Sequence, residues 1–352
     1  MDPFTHAIVG AAGAASAAPA RETRMAALAG AAAGLLPDVD ALIGSASDPL
    51  LTLEYHRHFT HSLVFVPLGA LLAAALLWLV LRRWMSFAHL YAYAFIGYLL
   101  SPLLDACTSY GTHLLWPFAQ RPLAWNIIAI IDPAFTLLLL GPLAFALMRR
   151  RPALARLGVA LAGFVLMLGV LQHERASTLA RELAASRGHV SERVLVKPTL
   201  ANLVLWRSIY IAGDRIYVDA IRIGLPGNSR IYPGESAARL DPQRDLDLPS
   251  GSQLSRDVER FVVFTDGYPV RHPVRAEMIG DARYSMLPTS LEPLWGIVLD
   301  PAAPQGHARF ETNRTLTPAV RRRFIDMLLG RDLGAPPTPH QPGQRGAPGS
   351  AA

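Results

Sequence analysis

The sequence predicts an α-helical, polytopic membrane domain, then a small β-rich soluble domain and a disordered tail. Three observations support this fold class. The composition is 51% hydrophobic and 17% charged, with a mean hydropathy of +0.27, which is too apolar for an ordinary soluble protein. Charged residues are sparse up to Leu171 and frequent beyond it. Long apolar runs give way there to short alternating segments typical of strands. We predict a membrane-embedded domain over 1–171, an extramembrane domain over 172–333 and a tail over 334–352.

The membrane half is expected to begin with a short helical hairpin. Two Ala/Gly-rich segments, roughly 4–20 and 25–36, are separated by a polar turn. About 12–16 apolar residues per arm reach roughly 18–24 Å, short of a ~30 Å hydrocarbon core. The hairpin is therefore either re-entrant or buried among other helices, and its glycines allow close packing. About four spans are predicted to follow, at 63–81, 87–104, 127–148 and 157–171.

The arginines predict the orientation of these segments. One face receives most of those at segment ends, namely Arg21, Arg24, Arg82, Arg83, Arg149, Arg150, Arg151 and Arg156. The other face holds only Arg57 and Arg121. Because cytoplasmic loops are enriched in Lys and Arg, the arginine-rich face is expected to be cytoplasmic. We therefore predict a multi-pass protein of the bacterial inner membrane, with its unusual acids, its histidines and its soluble domain on the periplasmic side.

The second half is expected to begin with a charged amphipathic helix over 172–187 and to continue as hairpins. Alternating apolar residues predict strands at 194–196, 203–206, 209–211, 215–221, 259–264, 281–287 and 294–299. Residues 224–257 are rich in Gly, Pro, Asp and Ser and predict a long loop, and a helix near 317–329 closes the domain.

The stretch His56-Arg57-His58-Phe59-Thr60-His61-Ser62 is the densest group of metal-capable residues, directly before an apolar run. Neutral imidazole is a good ligand for transition metals. If the stretch is helical, His58 and His61 share a face; if it is extended, His56 and His58 do. Three histidines within six residues favour ligation over a purely structural role. Polar residues at the mouth of a membrane helix are costly and usually functional.

Carboxylates accompany this stretch. Asp38 and Asp40 flank Val39, so in an extended segment both carboxylates point the same way and can share a cation. Asp105 ends a predicted span, and Asp132, before Pro133, is either a helix cap or a functional residue. A mixed His/Asp set suits a mono- or dinuclear site that activates water for hydrolysis.

Two other site classes are disfavoured. The one cysteine, Cys107, excludes a thiolate-only zinc site. The net charge of +6 comes from arginines at helix ends and in the tail, without a basic stripe, so no nucleic-acid partner is expected.

The order of these motifs resembles the YdjM-like family of bacterial inner-membrane proteins, described as membrane-bound metal-dependent hydrolases and in some members linked to the LexA-controlled DNA-damage response. The matching motifs are Met1-Asp2-Pro3-Phe4-Thr5-His6, Leu36-Pro37-Asp38-Val39-Asp40, His56 to Ser62, Pro102-Leu103-Leu104-Asp105, Thr108-Ser109-Tyr110-Gly111-Thr112 and Ile131-Asp132-Pro133. They cover roughly residues 1–145. The stretch from Asp281-Ala282-Arg283-Tyr284 through Leu294-Trp295-Gly296-Ile297 is similar to the extension of longer members.

The resemblance implies metal-binding roles for His6, Asp38, Asp40, His56, His61 and Asp105. Members of the family tend to carry a histidine directly before the Pro-Leu-Leu-Asp segment. This chain has Ser101 there, so His58 or His113 would have to substitute if that histidine is a ligand.

We therefore expect a membrane-bound hydrolase with a His/Asp metal site at the outer membrane–water interface. Its expected metal ligands are Asp38, Asp40, His56, His61 and Asp105, and the residues expected to orient water or act as a base are His6, His58 and Asp132. The cofactor is a divalent ion, with zinc and manganese favoured. The expected partners are membrane lipid and a lipid-linked or phosphate-bearing ester. The alternative is a non-enzymatic inner-membrane scaffold with a structural metal site. A transporter ranks third because the acids lie at helix ends.

Overall fold

A computed structural model describes residues 1–224 and 227–333. A helical half leads into two four-stranded antiparallel sheets. The tail predicted over 334–352 lies outside the described residues.

The helical half contains long apolar helices and short connecting turns. The helices are α1 (Pro3–Ala17), α2 (Thr23–Leu35), α3 (Leu51–Tyr55), α4 (Val66–Leu81), α5 (Phe87–Cys107), α6 (Pro133–Arg149) and α7 (Pro152–Ser186), with 3-10 turns at Pro37–Leu42 and Phe59–His61. By length and apolarity, the segments that can cross a membrane are Thr23–Leu42, Phe87–Cys107 and Pro152–Ser186. There is a fourth such segment if Leu51–His61 and Val66–Leu81, which meet at a bend of 87°, are taken together as one broken span.

Three boundaries differ from the sequence prediction. With the turn after Pro37, the segment that contains α2 is 20 residues long and can cross a membrane, whereas the sequence analysis predicted a short hairpin arm there. The predicted span 127–148 becomes helical only at Pro133, which leaves 17 residues in α6. The predicted separate helix over 172–187 belongs to the 35-residue helix α7, since no Gly or Pro interrupts the chain there.

Helix α7 therefore carries the chain directly from the apolar half onto the first sheet. Gln172 is buried within it and donates hydrogen bonds to the carbonyls of Leu203 (3.1 Å) and Ile223 (3.2 Å).

Helices α1, α2 and α5 meet at a contact built from glycines, and α1 and α2 form the predicted hairpin. A Cβ atom added at Gly10 or at Gly97 would lie 2.2 Å from the carbonyl oxygen of Gly30. No side chain fits at this crossing, so the absence of Cβ atoms sets the helix spacing.

We expect Gly30→Ala to destabilise the protein by about 1–3 kcal/mol, because the new methyl group would lie 2.2 Å from the Gly10 carbonyl oxygen in a packed core. Gly163→Ala in α7 is the matched control, since a Cβ there meets nothing within 4 Å. Thermal unfolding in detergent measures both variants. Equal unfolding midpoints for the two would contradict this account of the packing.

The second half forms two sheets. The first contains β1 (Arg193–Pro198), β2 (Leu205–Ala212), β3 (Arg215–Ile223) and β4 (Ser229–Ala238), in that order. Helices α8 (Pro242–Asp245) and α9 (Gln253–Phe264) follow. The second sheet contains β5 (Pro269–Arg271), β6 (Met278–Asp281), β7 (Trp295–Val298) and β8 (Arg309–Thr312), and α10 (Pro318–Leu329) ends the described chain.

The strand predicted at 259–264 is wrong. These residues end α9, whose buried residues Leu254, Val258 and Phe261 recur at helical spacing. The loop predicted over 224–257 contains β4, α8 and the start of α9, and of the strand predicted over 281–287 only Asp281 lies in a strand.

The half of the chain that contains the two sheets, residues 193–329, is called the β-rich half, and it packs against the loops that carry the histidines. The Tyr284 hydroxyl donates to the backbone carbonyl of Ser109 at 2.7 Å. The Arg260 guanidinium pairs with Glu54 (2.6 Å) and Asp48 (2.9 Å), on either side of Leu50, which is buried against α9. These contacts place the β-rich half beside the His56–Ser62 stretch.

Candidate metal centre

Four short segments bring the predicted site residues together. His6 lies in the first turns of α1, and Asp105 lies in the last turn of α5. Asp38 and Asp40 lie in the 3-10 turn that begins at Pro37, where the missing N–H of proline interrupts the α-helical hydrogen bonding. His61 ends the 3-10 turn Phe59–His61. Each side chain is therefore placed by a helix end or a tight turn.

His6, Asp38, His61 and Asp105 form what we call the four-residue cluster. His6, Asp38 and Asp105 each offer one ligand atom, and these atoms lie within 4.8 Å of one another. His6 Nδ1 is 3.4 Å from Asp38 Oδ2, and His6 Nε2 is 3.1 Å from Asp105 Oδ1. His61 Nε2 is 3.5 Å from Asp38 Oδ1 and 3.3 Å from Asp105 Oδ2.

The cluster fits a divalent cation by burial and spacing. The side chains of His6, His61 and Asp105 are fully buried, and that of Asp38 is 16% exposed. Within the described residues, Asp38 Oδ2, His61 Nε2 and Asp105 Oδ2 are buried without a hydrogen-bond partner, which is costly for polar atoms. Tetrahedral ligands at ~2.0–2.1 Å from a metal lie roughly 3.3–3.4 Å apart. The distances from His61 Nε2 to the two carboxylates are close to this value.

Asp40 orients the cluster from outside. Its carboxylate accepts hydrogen bonds from the Arg57 backbone N–H (2.8 Å) and the Thr60 hydroxyl (2.6 Å), and lies 3.0 Å from His61 Nδ1 and from His56 Nδ1. With Nδ1–H donating to Asp40, His61 presents its Nε2 lone pair to the cluster. Metal-ligating histidines commonly have such a carboxylate partner, which fixes the ring and its tautomer.

Arg57 is a component that the sequence analysis did not single out for the site. Its buried guanidinium is 3.0 Å from Asp105 Oδ1 and donates to the Thr108 hydroxyl at 3.0 Å. The N-terminal amino group also contacts Asp105 Oδ1. Positive charge therefore gathers at one oxygen of Asp105, and the other faces His61. One indication in the sequence of a role for Arg57 in the site is that it is one of only two arginines on the predicted outer face.

Ser101 is buried in the site, and its hydroxyl is hydrogen-bonded to His6 Nδ1. It is the residue at the position where related sequences were expected to carry histidine. A hydrogen bond at Nδ1 fixes the His6 ring and leaves Nε2 toward Asp105.

We expect Ser101→Ala to weaken metal affinity about tenfold, because loss of such an outer partner lets the His6 ring rotate. Ser16→Ala is a matched control, because Ser16 also lies in the helical half but, among the described residues, its hydroxyl bonds only to the Gly13 carbonyl. Titration of metal-depleted protein with Zn²⁺ measures both affinities. An unchanged affinity in Ser101→Ala would show that Ser101 does not position His6.

The other predicted residues have different surroundings. His56 has a 26% exposed side chain and packs edge-on to Tyr110 at 5.5 Å between ring centroids. His58 lies 4.6 Å from His113 and 5.8 Å from Trp116 between centroids, without a carboxylate contact among the described residues. Burial lowers the pKa of His113, and His58 lowers it further.

Asp132 caps α6, accepting from the Phe135 N–H at 3.0 Å. The structure thus gathers His6, Asp38, His61 and Asp105, with Asp40 and His56 adjacent. It places His58 in an aromatic group and Asp132 at a helix start.

A cavity of about 680 Å³ lies between the helical half and the β-rich half. Its wall includes His56, His58, Tyr110, Arg121, Arg193 and Arg283. Such a volume is typical of small-molecule sites. His56, which contacts Asp40, connects this cavity with the edge of the four-residue cluster.

A helical membrane domain with a buried His/Asp cluster at its helix ends, packed against a β-rich domain, defines a membrane protein with a candidate metal centre. The chain belongs to the YdjM inner membrane protein family, whose sequence profile matches residues 1–176. The resemblance seen in the sequence is therefore confirmed. The match includes every residue of the cluster and ends within α7. Comparison with curated proteins and with solved structures found no match.

Proposed function

We propose that this protein is a membrane-bound metal-dependent hydrolase whose four-residue cluster holds one divalent ion. The observation that carries the proposal is that Asp38 Oδ2, His61 Nε2 and Asp105 Oδ2 are buried without a hydrogen-bond partner among the described residues. His61 Nε2 lies 3.3 Å from that oxygen of Asp105 and 3.5 Å from the other oxygen of Asp38, Oδ1. These atoms come from three separate segments, and a cation would satisfy all of them. Without one, the burial of facing carboxylates and imidazoles would be unfavourable.

The ligand types limit which metal ions suit the cluster. Two imidazoles and two carboxylates suit zinc or manganese better than a purely oxygen-coordinated magnesium or calcium ion. When bound, such an ion acts as a Lewis acid that polarises an ester or phosphoryl oxygen and makes water easier to deprotonate. In this assignment Asp40 orients His61 and Arg57 holds Asp105, so neither is a ligand.

His56 is placed to accept a proton. Its imidazole lies 3.0 Å from Asp40 and is part of the cavity wall. A histidine held by a carboxylate is a common arrangement for a general base. His58 also lines this cavity, but its aromatic neighbours suit contact with substrate better than proton transfer.

The substrate class is proposed from position and charge. The cavity wall has four arginines, Arg121, Arg193, Arg260 and Arg283, against two acids, Glu54 and Asp266. This excess of positive charge favours a phosphate-bearing ester. It lies beside the loops that join apolar helices, so a lipid-linked substrate would reach it from the membrane surface. We propose that this surface is the periplasmic face of the inner membrane.

Purified full-length protein, depleted of metal and reloaded with Zn²⁺ or Mn²⁺, tests the activity. We expect metal-dependent release of nitrophenol from bis-(4-nitrophenyl) phosphate or from 4-nitrophenyl esters, and a loss of that activity in His56→Gln with the ion retained. Bound metal together with no turnover on phosphoesters or carboxylic esters would contradict the hydrolase proposal.

A structural metal site in a non-enzymatic scaffold is the second candidate. It is favoured by the complete burial of His6, His61 and Asp105, which restricts access of water to the ion. It predicts an unfolding midpoint that rises with metal and no turnover. The same preparation therefore separates the two functions.

A further inference from the structure

Lys197 is the only lysine among the 352 residues, and every other Lys/Arg position is arginine. It lies in β1, and its side chain is buried, with 8% of the residue exposed. Within the described residues, the side-chain ammonium of Lys197 has neither an ion pair nor a hydrogen bond. Its Nζ atom lies 3.4 Å from the centroid of the Tyr284 ring. An ammonium on an aromatic face without a counter-ion is unusual in a protein interior.

Lys197 lines a cavity of about 310 Å³, which we call the junction cavity. Its wall is mainly apolar and includes Ala129, Ile130, Leu200, Met286, Leu294 and Phe324. Ile130 lies just before the start of α6 at Pro133, so the cavity is beside the beginning of an apolar helix. The junction cavity therefore lies between the helical half and the β-rich half.

Three further cations line the junction cavity, namely Arg207, Arg283 and Arg321. Arg207 is buried and donates to the backbone carbonyls of Ala282 (2.7 Å) and Pro288 (2.8 Å), which are neutral acceptors. Arg283 pairs with Asp281 at 2.7 Å. No acidic residue of the described chain is part of the cavity wall. Positive charge thus exceeds negative charge around an apolar recess.

This excess is unfavourable without an anion. Burial, together with the nearby guanidinium groups of Arg207 and Arg283, lowers the pKa of Lys197. An anion in the junction cavity would favour the protonated ammonium and compensate Arg207 at the same time.

We propose that the junction cavity binds an acyl amphiphile, with an anionic head group beside Lys197 and an acyl chain along the apolar wall. The volume is at the low end of ligand sites, so a single medium-length chain fits better than a diacyl lipid. A carboxylate or a phosphate supplies the required charge. This site is distinct from the four-residue cluster and goes beyond the proposed hydrolysis.

Because Lys197 is the only lysine, amine-specific labelling reports on this site alone once the N-terminal peptide is separated. Full-length protein in lipid nanodiscs is reductively methylated with and without each probe, and the Lys197 peptide is quantified by mass spectrometry. The probes are dodecanoate, dodecyl phosphate, dodecyltrimethylammonium and inorganic phosphate. We expect at least fivefold slower labelling with one or both anionic amphiphiles, and which of them protects identifies the head group.

Protection by neither anionic amphiphile would overturn the proposal. Equal protection by dodecyltrimethylammonium would overturn the role of charge, and equal protection by inorganic phosphate would overturn the role of the acyl chain.

Two variants test the assignment by direct binding. Lys197→Met removes the charge and keeps the chain length, and Leu316→Trp fills the cavity from a side chain that is 57% exposed, so folding is little affected. We expect both to weaken binding of the protecting amphiphile at least tenfold in calorimetric titrations. Arg215→Met, at an exposed cation of β3, is the matched control. Wild-type affinity in both cavity variants would refute the site. Unchanged binding in His61→Ala would show that it stands apart from the metal centre.

Discussion

Replacing Asp38 and His61 together by alanine is expected to yield a protein that purifies without its divalent ion and has no hydrolytic activity. The reason is geometric. Asp38 and Asp105 present oxygens 3.5 and 3.3 Å from His61 Nε2, so the double substitution removes the nitrogen at the centre of the group and one of its two facing carboxylates. Elemental analysis of metal per chain checks the result, with turnover measured on the same samples. We expect metal content to fall from about one ion per chain to background.

The matched control is His89→Ala. His89 also pairs with a carboxylate, since its Nδ1 lies 2.9 Å from Glu22 Oε2. This pair lies at the N-terminal ends of α2 and α5, whereas Asp38 and Asp105 lie at the C-terminal ends of the same helices. This variant should keep the ion and the activity. Full metal occupancy in the Asp38/His61 double variant would refute the assignment of the cluster.

Replacing Asp105 by alanine is expected to lower the free energy of unfolding by about 3–5 kcal/mol, even in metal-free protein. Arg57 is fully buried and pairs with Asp105 at 3.0 Å, so the substitution leaves a buried guanidinium without its carboxylate partner. Thermal or denaturant unfolding of metal-depleted protein in detergent measures the effect. Asp48→Ala, which breaks a partly exposed pair with Arg260, should cost much less, about 1 kcal/mol or below.

Substituting Arg57 as well provides a second check. Asp105→Ala combined with Arg57→Met removes both charges, and we expect it to be more stable than Asp105→Ala alone. If the single and double variants unfold at the same midpoint, the Arg57–Asp105 pair does not account for the loss.

The helical half was largely predictable because its signals are local. Apolar runs and the proline and glycine positions near their ends indicated the hairpin of α1 and α2, the helix α5 and the apolar part of α7, but not the continuation of α7 to Ser186. The family resemblance directed attention to helix ends, where His6, Asp38 and Asp105 lie close together. The β-rich half was less predictable, because Phe261–Phe264 has the same short apolar pattern in a strand as at the end of α9.

The roles within the site depend on tertiary contacts that sequence spacing does not encode. The spacing of His56, His58 and His61 allowed two ligand pairs, His58 with His61 in a helix or His56 with His58 in an extended segment. The observed backbone brings neither pair to the cluster. The 3-10 turn directs His61 inward, while His58 faces His113. Asp40 looked equivalent to Asp38, yet it accepts hydrogen bonds from several groups of the His56–Ser62 stretch. Such a division of roles follows from the packing of that stretch against the turn after Pro37.

Crystals of the full-length protein, grown with Zn²⁺ or Mn²⁺ and measured at the absorption edge of that metal, test the central claim most directly. The account predicts one anomalous peak within about 2.0–2.3 Å of ligand atoms from His6, Asp38, His61 and Asp105. A peak instead between His58 and His113, whose rings lie 4.6 Å apart, or no peak at the cluster in metal-saturated crystals, would contradict it.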